Sequence, residues 1–140
     1  MKWLLDLLRP WFLKKSGLER ISPNNWIADN DVVYIPKNHL LTIKIKPDVW
    51  ITDVSDTNSM DGLVDIGHSV ILTNNFDKSK LAVGDIVCYQ YYTRLILHRI
   101  VQIKEGANRL YKCRGDNNTV DDPYWLSGVN IKWLCVGILY

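Results

Sequence analysis

Arg94-Leu95-Ile96-Leu97-His98-Arg99-Ile100-Val101-Gln102-Ile103-Lys104 is the stretch that decides the fold. Side chains alternate across an extended strand, so Leu95, Leu97 and Arg99 share one face while Ile96, His98 and Ile100 share the other. Length and β-branched content predict one long strand over 94–104. His98 then points with apolar neighbours. An imidazole there is either a satisfied core residue or a shielded, fixed base.

The neighbours of this stretch read the same way. The sequence predicts strands at 32–35, closed by Pro36, and at 40–46. In the latter, Leu41, Ile43 and Ile45 alternate with Thr42, Lys44 and Lys46, the pattern of a half-buried strand. Further strands are expected at 49–54, 69–73, 85–92, 110–114 and 131–139. Asn74-Asn75, residues 78–84 and Gly106-Ala107-Asn108 supply the turns. The chain is therefore expected to be all-β and mainly antiparallel, barrel-like or two-sheet. It contains no internal repeat and no low-complexity segment.

A length of 140 residues fits one compact domain, and 47% hydrophobic content is enough to build a core. Seventeen basic and fifteen acidic residues leave +2, too balanced for a direct nucleic-acid binder. Six Trp and seven Tyr point to apolar grooves or an interface. Cys88, Cys113 and Cys135 are odd in number and form no CxxC pair, which argues against both a disulfide framework and a zinc site. No metal or cofactor is expected. No segment reaches the ~20 apolar residues that span a bilayer.

Residues 1–15 read as a short amphipathic helix, with Trp3, Leu4, Leu7, Leu8 and Trp11 at helical spacing and Pro10 as a break or kink. Two readings stand. The helix packs on its own domain or a partner chain, or it lies at a membrane surface with Lys2, Arg9, Lys14 and Lys15 facing anionic lipid. Residues 16–31 read as a linker, and residues 32–140 as a β-rich domain.

Asp56-Thr57-Asn58-Ser59-Met60-Asp61-Gly62-Leu63-Val64-Asp65-Ile66-Gly67-His68-Ser69-Val70-Ile71-Leu72 begins polar and turn-prone and ends as a β-rich run. A serine hydroxyl where a turn meets an apolar segment can be aimed into a groove. It is a poor nucleophile until a base takes its proton. His98 is the candidate base. Asp116 and Asp122, in the Asp/Asn-rich loop after the 110–114 strand, are candidate partners for its ring N–H; such a carboxylate fixes the tautomer and stabilises the imidazolium. The bland reading of that loop is a plain turn.

Three blocks together resemble the signal peptidase and LexA-type serine peptidase superfamily. They are Thr57-Asn58-Ser59-Met60 with Gly67 eight residues past the serine, Val83-Gly84-Asp85-Ile86-Val87 followed by Leu95–Val101, and Cys113-Arg114-Gly115-Asp116-Asn117-Asn118 with Asp121-Asp122. The resemblance covers roughly residues 50–140. It implies a curved all-β fold, a partly open barrel with a peptide-binding groove. It also implies Ser59 as nucleophile and His98 in the base position, as in the archaeal and endoplasmic-reticulum signal peptidases. Asp122 is the first choice for the residue orienting His98 and Asp116 the second, since Asp116 can instead brace the loop. The Ser59 backbone N–H and the Thr57 hydroxyl match the oxyanion hole.

The chain departs from the family in having Gly62 where proline is usual and His68 where aspartate is usual. Neither a transmembrane anchor nor a helix-turn-helix domain is expected from the sequence. The expected function is a serine endopeptidase acting on a peptide or protein, without direct nucleic-acid contact, located in the cytoplasm or peripherally on a membrane. The alternative is an inactive or regulatory peptidase-like β-domain, phage repressor-like, that binds a protein partner. Oligomeric state, substrate and cleavage specificity are not legible.

Overall fold

The structure is a computed structural model and describes residues 20–140. The expected helix over 1–15 and the first residues of the expected linker lie outside the described residues.

Two sheets account for the strands, all paired antiparallel. The smaller is a hairpin of β1 (Val32–Ile35) and β2 (Leu40–Ile43). The larger has seven strands: β3 (Val49–Asp53), β4 (Ser69–Thr73), β5 (Ile86–Tyr91), β6 (Arg94–Lys104), β7 (Leu110–Arg114), β8 (Leu126–Ser127) and β9 (Ile131–Leu139). Their spatial order is β3-β4-β9-β5-β6-β7-β8, with β3 and β8 left as edges, so the sheet is not closed. The fold is all-β with an open sheet.

The inner strands bury both faces, and their sequence shows why. In Ile86-Val87-Cys88-Tyr89, alternation sends Ile86 and Cys88 into one apolar cluster with Met60, Val64, Leu72 and Cys135. Val87 and Tyr89 enter a second cluster with Leu81, Ile100, Tyr111, Leu126 and Leu134. Burying a side chain such as Leu72 contributes about 1.5–3 kcal/mol. Register shifts fall at Ile71/Leu72, Cys88/Tyr89 and Ile100/Gln102. Extra residues at such points bend a strand and increase its twist. The last shift lies just past His98. Shortly before it, at Arg99, β6 changes partner, from β5 along Arg94–Arg99 to β7 along Arg99–Lys104.

The β1–β2 hairpin corrects one expectation. Alternation over 40–46 predicted a half-buried strand, yet every residue of Leu40–Ile43 and of Val32–Ile35 is exposed. The strand ends at Ile43. Among the described residues this two-stranded ribbon has no ladder to the main sheet, and a ribbon by itself does not bury its own faces, whatever its pattern.

Residues 20–26 are fastened to the main sheet. Asp85, fully buried, accepts from the backbone and side-chain nitrogens of Asn24, from Trp26 Nε1 and from the Ala82 N–H. Gly84 (φ +107°) passes so close to the Ser22 carbonyl that a side chain has no room. Among the described residues, no helix is long and apolar enough to cross a membrane.

Candidate active site

His98 sits on β6 opposite Val87 of β5, and its side chain is 9% exposed. Its Nδ1 lies 2.8 Å from Asp122 Oδ2. Asp122 is held by its own backbone: its N–H donates to the Cys113 carbonyl at 2.8 Å, and its carbonyl accepts from Lys112 Nζ at 2.9 Å. The Tyr89 hydroxyl donates to the same Asp122 Oδ2 at 2.7 Å. Burial, and then the bond to Asp122, push the Tyr89 phenol well above its usual range, so it stays protonated as a donor.

The other ring nitrogen, Nε2, looks toward the serine turn. A Cβ built on Gly115 would lie 3.0 Å from it and would run into the Ser59 carbonyl. Glycine is required here for close approach. The turn that follows β7 grips residues 58–60: the Asn117 N–H donates to the Ser59 carbonyl at 2.9 Å, Asn117 Nδ2 to the Asn58 carbonyl at 2.9 Å, and the Asp116 N–H to Met60 Sδ at 3.4 Å. Met60 is buried in the core beneath. Ser59 is thus held from two sides, by the core through Met60 and by the 115–117 turn. Among the described residues no buried side-chain nitrogen or oxygen lacks a hydrogen-bond partner, and Nε2 has no partner there, so it retains an opening to the surface.

That opening is a groove of about 650 Å³. Trp50, Thr52 and Val54 line one side, Leu95, Leu97 and His98 the other, and Val64, Leu72 and Cys88 also line it. Thr57 and Ser59 both line it. The Ser59 hydroxyl pairs with Thr57 Oγ1 at 3.1 Å rather than with His98. The Ser59 backbone N–H has no acceptor among the described residues. Among the described residues, β3 has no neighbour on its outer side, and Arg94–His98 of β6 pair on the β5 side alone. Two strand edges with unpaired main-chain groups therefore border the groove.

Asp116, the second carboxylate considered for His98, is elsewhere. Alternation puts Arg99 on the face opposite His98, and Arg99 takes the Asp116 carboxylate in a bidentate pair at 2.8 and 2.7 Å. Asp116 braces the loop instead of touching the imidazole. Its carbonyl also accepts from Arg20 at 2.8 Å. His68 does not line the groove; its Nδ1 accepts from the Asp65 N–H at 3.0 Å and its ring meets Tyr140 edge-on. Gly62 has φ +86°, a region closed to proline, whose φ is fixed near −65°. The departure from proline at this position is therefore a different local backbone.

Tyr89, Gly115 and Arg99 were not singled out from the sequence. Tyr89 alternates with Val87 on a strand predicted from its pattern, and Gly115 opens the Asp/Asn-rich loop. Only the β5–β6 and β6–β7 registers bring them to His98. Among the described residues, no group of three or more His, Cys, Asp or Glu is placed to hold a metal ion.

The fold and groove define an open all-β sheet with a serine and an imidazole lining one cleft and a carboxylate on the imidazole's Nδ1. The chain is similar to signal peptidase I W of Bacillus subtilis (strain 168), 31% identical over 78 residues, which is 54% of this chain and 41% of that protein. It thus covers well under two thirds of that relative's length. No family model matches the chain, and no solved structure matches it.

Proposed function

We propose that this chain is a serine endopeptidase of the signal-peptidase kind, with Ser59 as nucleophile, His98 as base and Asp122 as the residue that orients His98. The observation that carries the reading is the imidazole's two-sided setting. Nδ1 is fixed on a carboxylate at 2.8 Å, and Nε2 is left open toward a groove that Ser59 also lines. Similarity to a signal peptidase supports the same class. A histidine base, rather than lysine, aligns the site with the archaeal and endoplasmic-reticulum type.

In this reading a substrate peptide lies extended between the free edges of β3 and β6 and adds main-chain hydrogen bonds. Ser59 Oγ turns from Thr57 to His98 by rotation about χ1; hydrogen bonds between nucleophile and base are commonly long before substrate binds. His98 Nε2 takes the hydroxyl proton while Oγ attacks the scissile carbonyl. The Ser59 N–H and the freed Thr57 hydroxyl hold the developing oxyanion. The C–N bond then breaks, the leaving amine takes the proton from His98, and water hydrolyses the acyl-enzyme. Residues 32–140 form the peptidase-like unit.

Labelling of the purified protein by a serine-reactive probe tests the proposal. Wild type is expected to label and Ser59→Ala not to; equal labelling of both sinks it. One observation favours the second reading, a β-domain that binds peptides without cutting them: Ser59 Oγ bonds Thr57 and not His98. That reading predicts peptide binding with no cleavage and no effect of Ser59→Ala on affinity.

A further inference from the structure

Tyr89 lies on β5, pairs with Ile96 across the ladder, and is 1% exposed. Two donors converge on a single oxygen of Asp122: the Tyr89 hydroxyl at 2.7 Å and His98 Nδ1 at 2.8 Å. The Tyr89 ring also meets the imidazole edge-on, with centroids 6.3 Å apart. Packing alone explains an aromatic ring at this position, since it joins Val87, Ile100 and Leu134 in the core. Packing does not explain the hydroxyl, which phenylalanine would lack at no cost in shape.

We infer that Tyr89 is a positioning residue that sets the strength of the Asp122–His98 contact, by holding the carboxylate in one orientation and sharing the oxygen that faces the imidazole. An O–H donor to a carboxylate makes a short, strong bond and draws on the negative charge. The same oxygen is then a weaker acceptor for a second donor. Asp122 still selects the tautomer of His98 but stabilises its charged form less than an unshared carboxylate would. The role in catalysis rests on the peptidase reading; the electrostatic coupling does not.

The charged groups close by are Lys112 and the Arg114–Asp121 pair at 3.2 Å, next to Asp122 in sequence. Tyr89 and Asp122 are faced by His98 from β6, Cys113 from β7 and Tyr124 from the following loop, and Lys112 binds the Asp122 carbonyl. Burial pushes the Cys113 thiol far up, so it stays neutral. Burial, together with Asp122, does the same for the Tyr89 phenol.

The test is an NMR titration of the His98 ring in the full chain. Tyr89→Phe is expected to move its midpoint to higher pH, because Asp122 then serves the imidazole alone. A folded Tyr89→Phe protein with an unmoved or lowered midpoint overturns the inference. Site-specific 3-fluorotyrosine at position 89 keeps the shape and strengthens the donor. It is expected to move the midpoint down, and no movement overturns the inference even if Tyr89→Phe fails to fold. In active enzyme the acidic limb of kcat/KM is expected to follow in the same direction, with the plateau changing less than about tenfold; a limb that stays put overturns the catalytic role. Failure of the peptidase reading registers separately, as equal probe labelling of wild type and Ser59→Ala while the imidazole titration still answers to Tyr89.

Discussion

Arg99 clasps Asp116 through two parallel hydrogen bonds, Nε to Oδ1 at 2.8 Å and Nη2 to Oδ2 at 2.7 Å, with side chains 9% and 3% exposed. Its remaining nitrogen, Nη1, donates to the carbonyls of Gly84 and Ile21. Adjacent residues of β6 thus do separate jobs on opposite faces: His98 meets Asp122, and Arg99 locks the turn that holds Ser59.

A buried ion pair is worth little net, but removing one partner strands the other charge at a cost of about 3–5 kcal/mol. Asp116→Ala is therefore expected to lower unfolding free energy by about that amount, a large part of the 5–15 kcal/mol typical of a domain. The double variant Arg99→Met, Asp116→Ala should recover much of the loss. Urea unfolding measures both; a double variant as unstable as the sum of the singles contradicts the argument.

Gly115 makes a narrower prediction. A Cβ there meets the Ser59 carbonyl, Asn118 Nδ2 at 2.8 Å and His98 Nε2 at 3.0 Å. The first obstacle is backbone and cannot swing aside. Gly115→Ala is expected to cost about 1–3 kcal/mol, as overpacking does. It should also slow serine-probe labelling by more than the lost stability explains, because the methyl presses on both the Ser59 carbonyl and His98 Nε2. Thermal unfolding and labelling rates on the same samples check this.

The strands over 32–35, 69–73, 94–104, 110–114 and 131–139 are legible because period-2 patterning and turn residues bracket them in the sequence. The inward face of His98 is legible for the same reason. What local pattern cannot carry is which loop carboxylate reaches the imidazole. Asp116 and Asp122 are equivalent as residues in an Asn/Asp-rich loop. The guanidinium of Arg99 takes Asp116, and Asp122 reaches His98. Tyr89 is hidden likewise, since its reach to Asp122 depends on the β5–β6 register. The exposure of Leu40–Ile43 is not legible because alternation specifies a face and does not supply the surface that would bury it.

The cysteines predict an alkaline limit to stability. All three are free and buried. Burial, reinforced by Cys135, pushes the Cys88 thiol from 9.0 up to about 11, and burial outweighs a backbone hydrogen bond at Gly137 and the charge of Arg99 to bring Cys135 up to about 11. A thiol whose folded value is raised binds its proton more tightly in the native state. Its contribution is complete below the unfolded value and is lost as pH climbs toward the folded one. Unfolding free energy is therefore expected to fall between about pH 9 and 11, and Cys88→Ser with Cys135→Ser should flatten that fall. Thiol reagents at neutral pH are expected to modify the unfolded chain and spare the native one.

Asp122→Asn is the change that best separates chemistry from architecture. The amide keeps the size of the carboxylate, and its oxygen can accept from either Tyr89 or His98 but is neutral toward an imidazolium. Its NH2 group favours a histidine tautomer with the proton on the wrong nitrogen. In a serine triad this kind of replacement lowers kcat by about 10⁴ with the geometry intact. Asp122→Asn is accordingly expected to lose about three to four orders of magnitude in kcat/KM on any peptide the wild type cleaves, with little change in Tm. Asp116→Asn should show the reverse order of effects. Its amide nitrogen opposes one guanidinium N–H in a bidentate site, so Tm falls first and activity falls only as the 115–117 turn loosens. Peptide cleavage followed by mass spectrometry, with thermal unfolding of each variant alongside, distinguishes the two patterns. If both aspartates behave alike, the division of labour between the two faces of β6 is wrong.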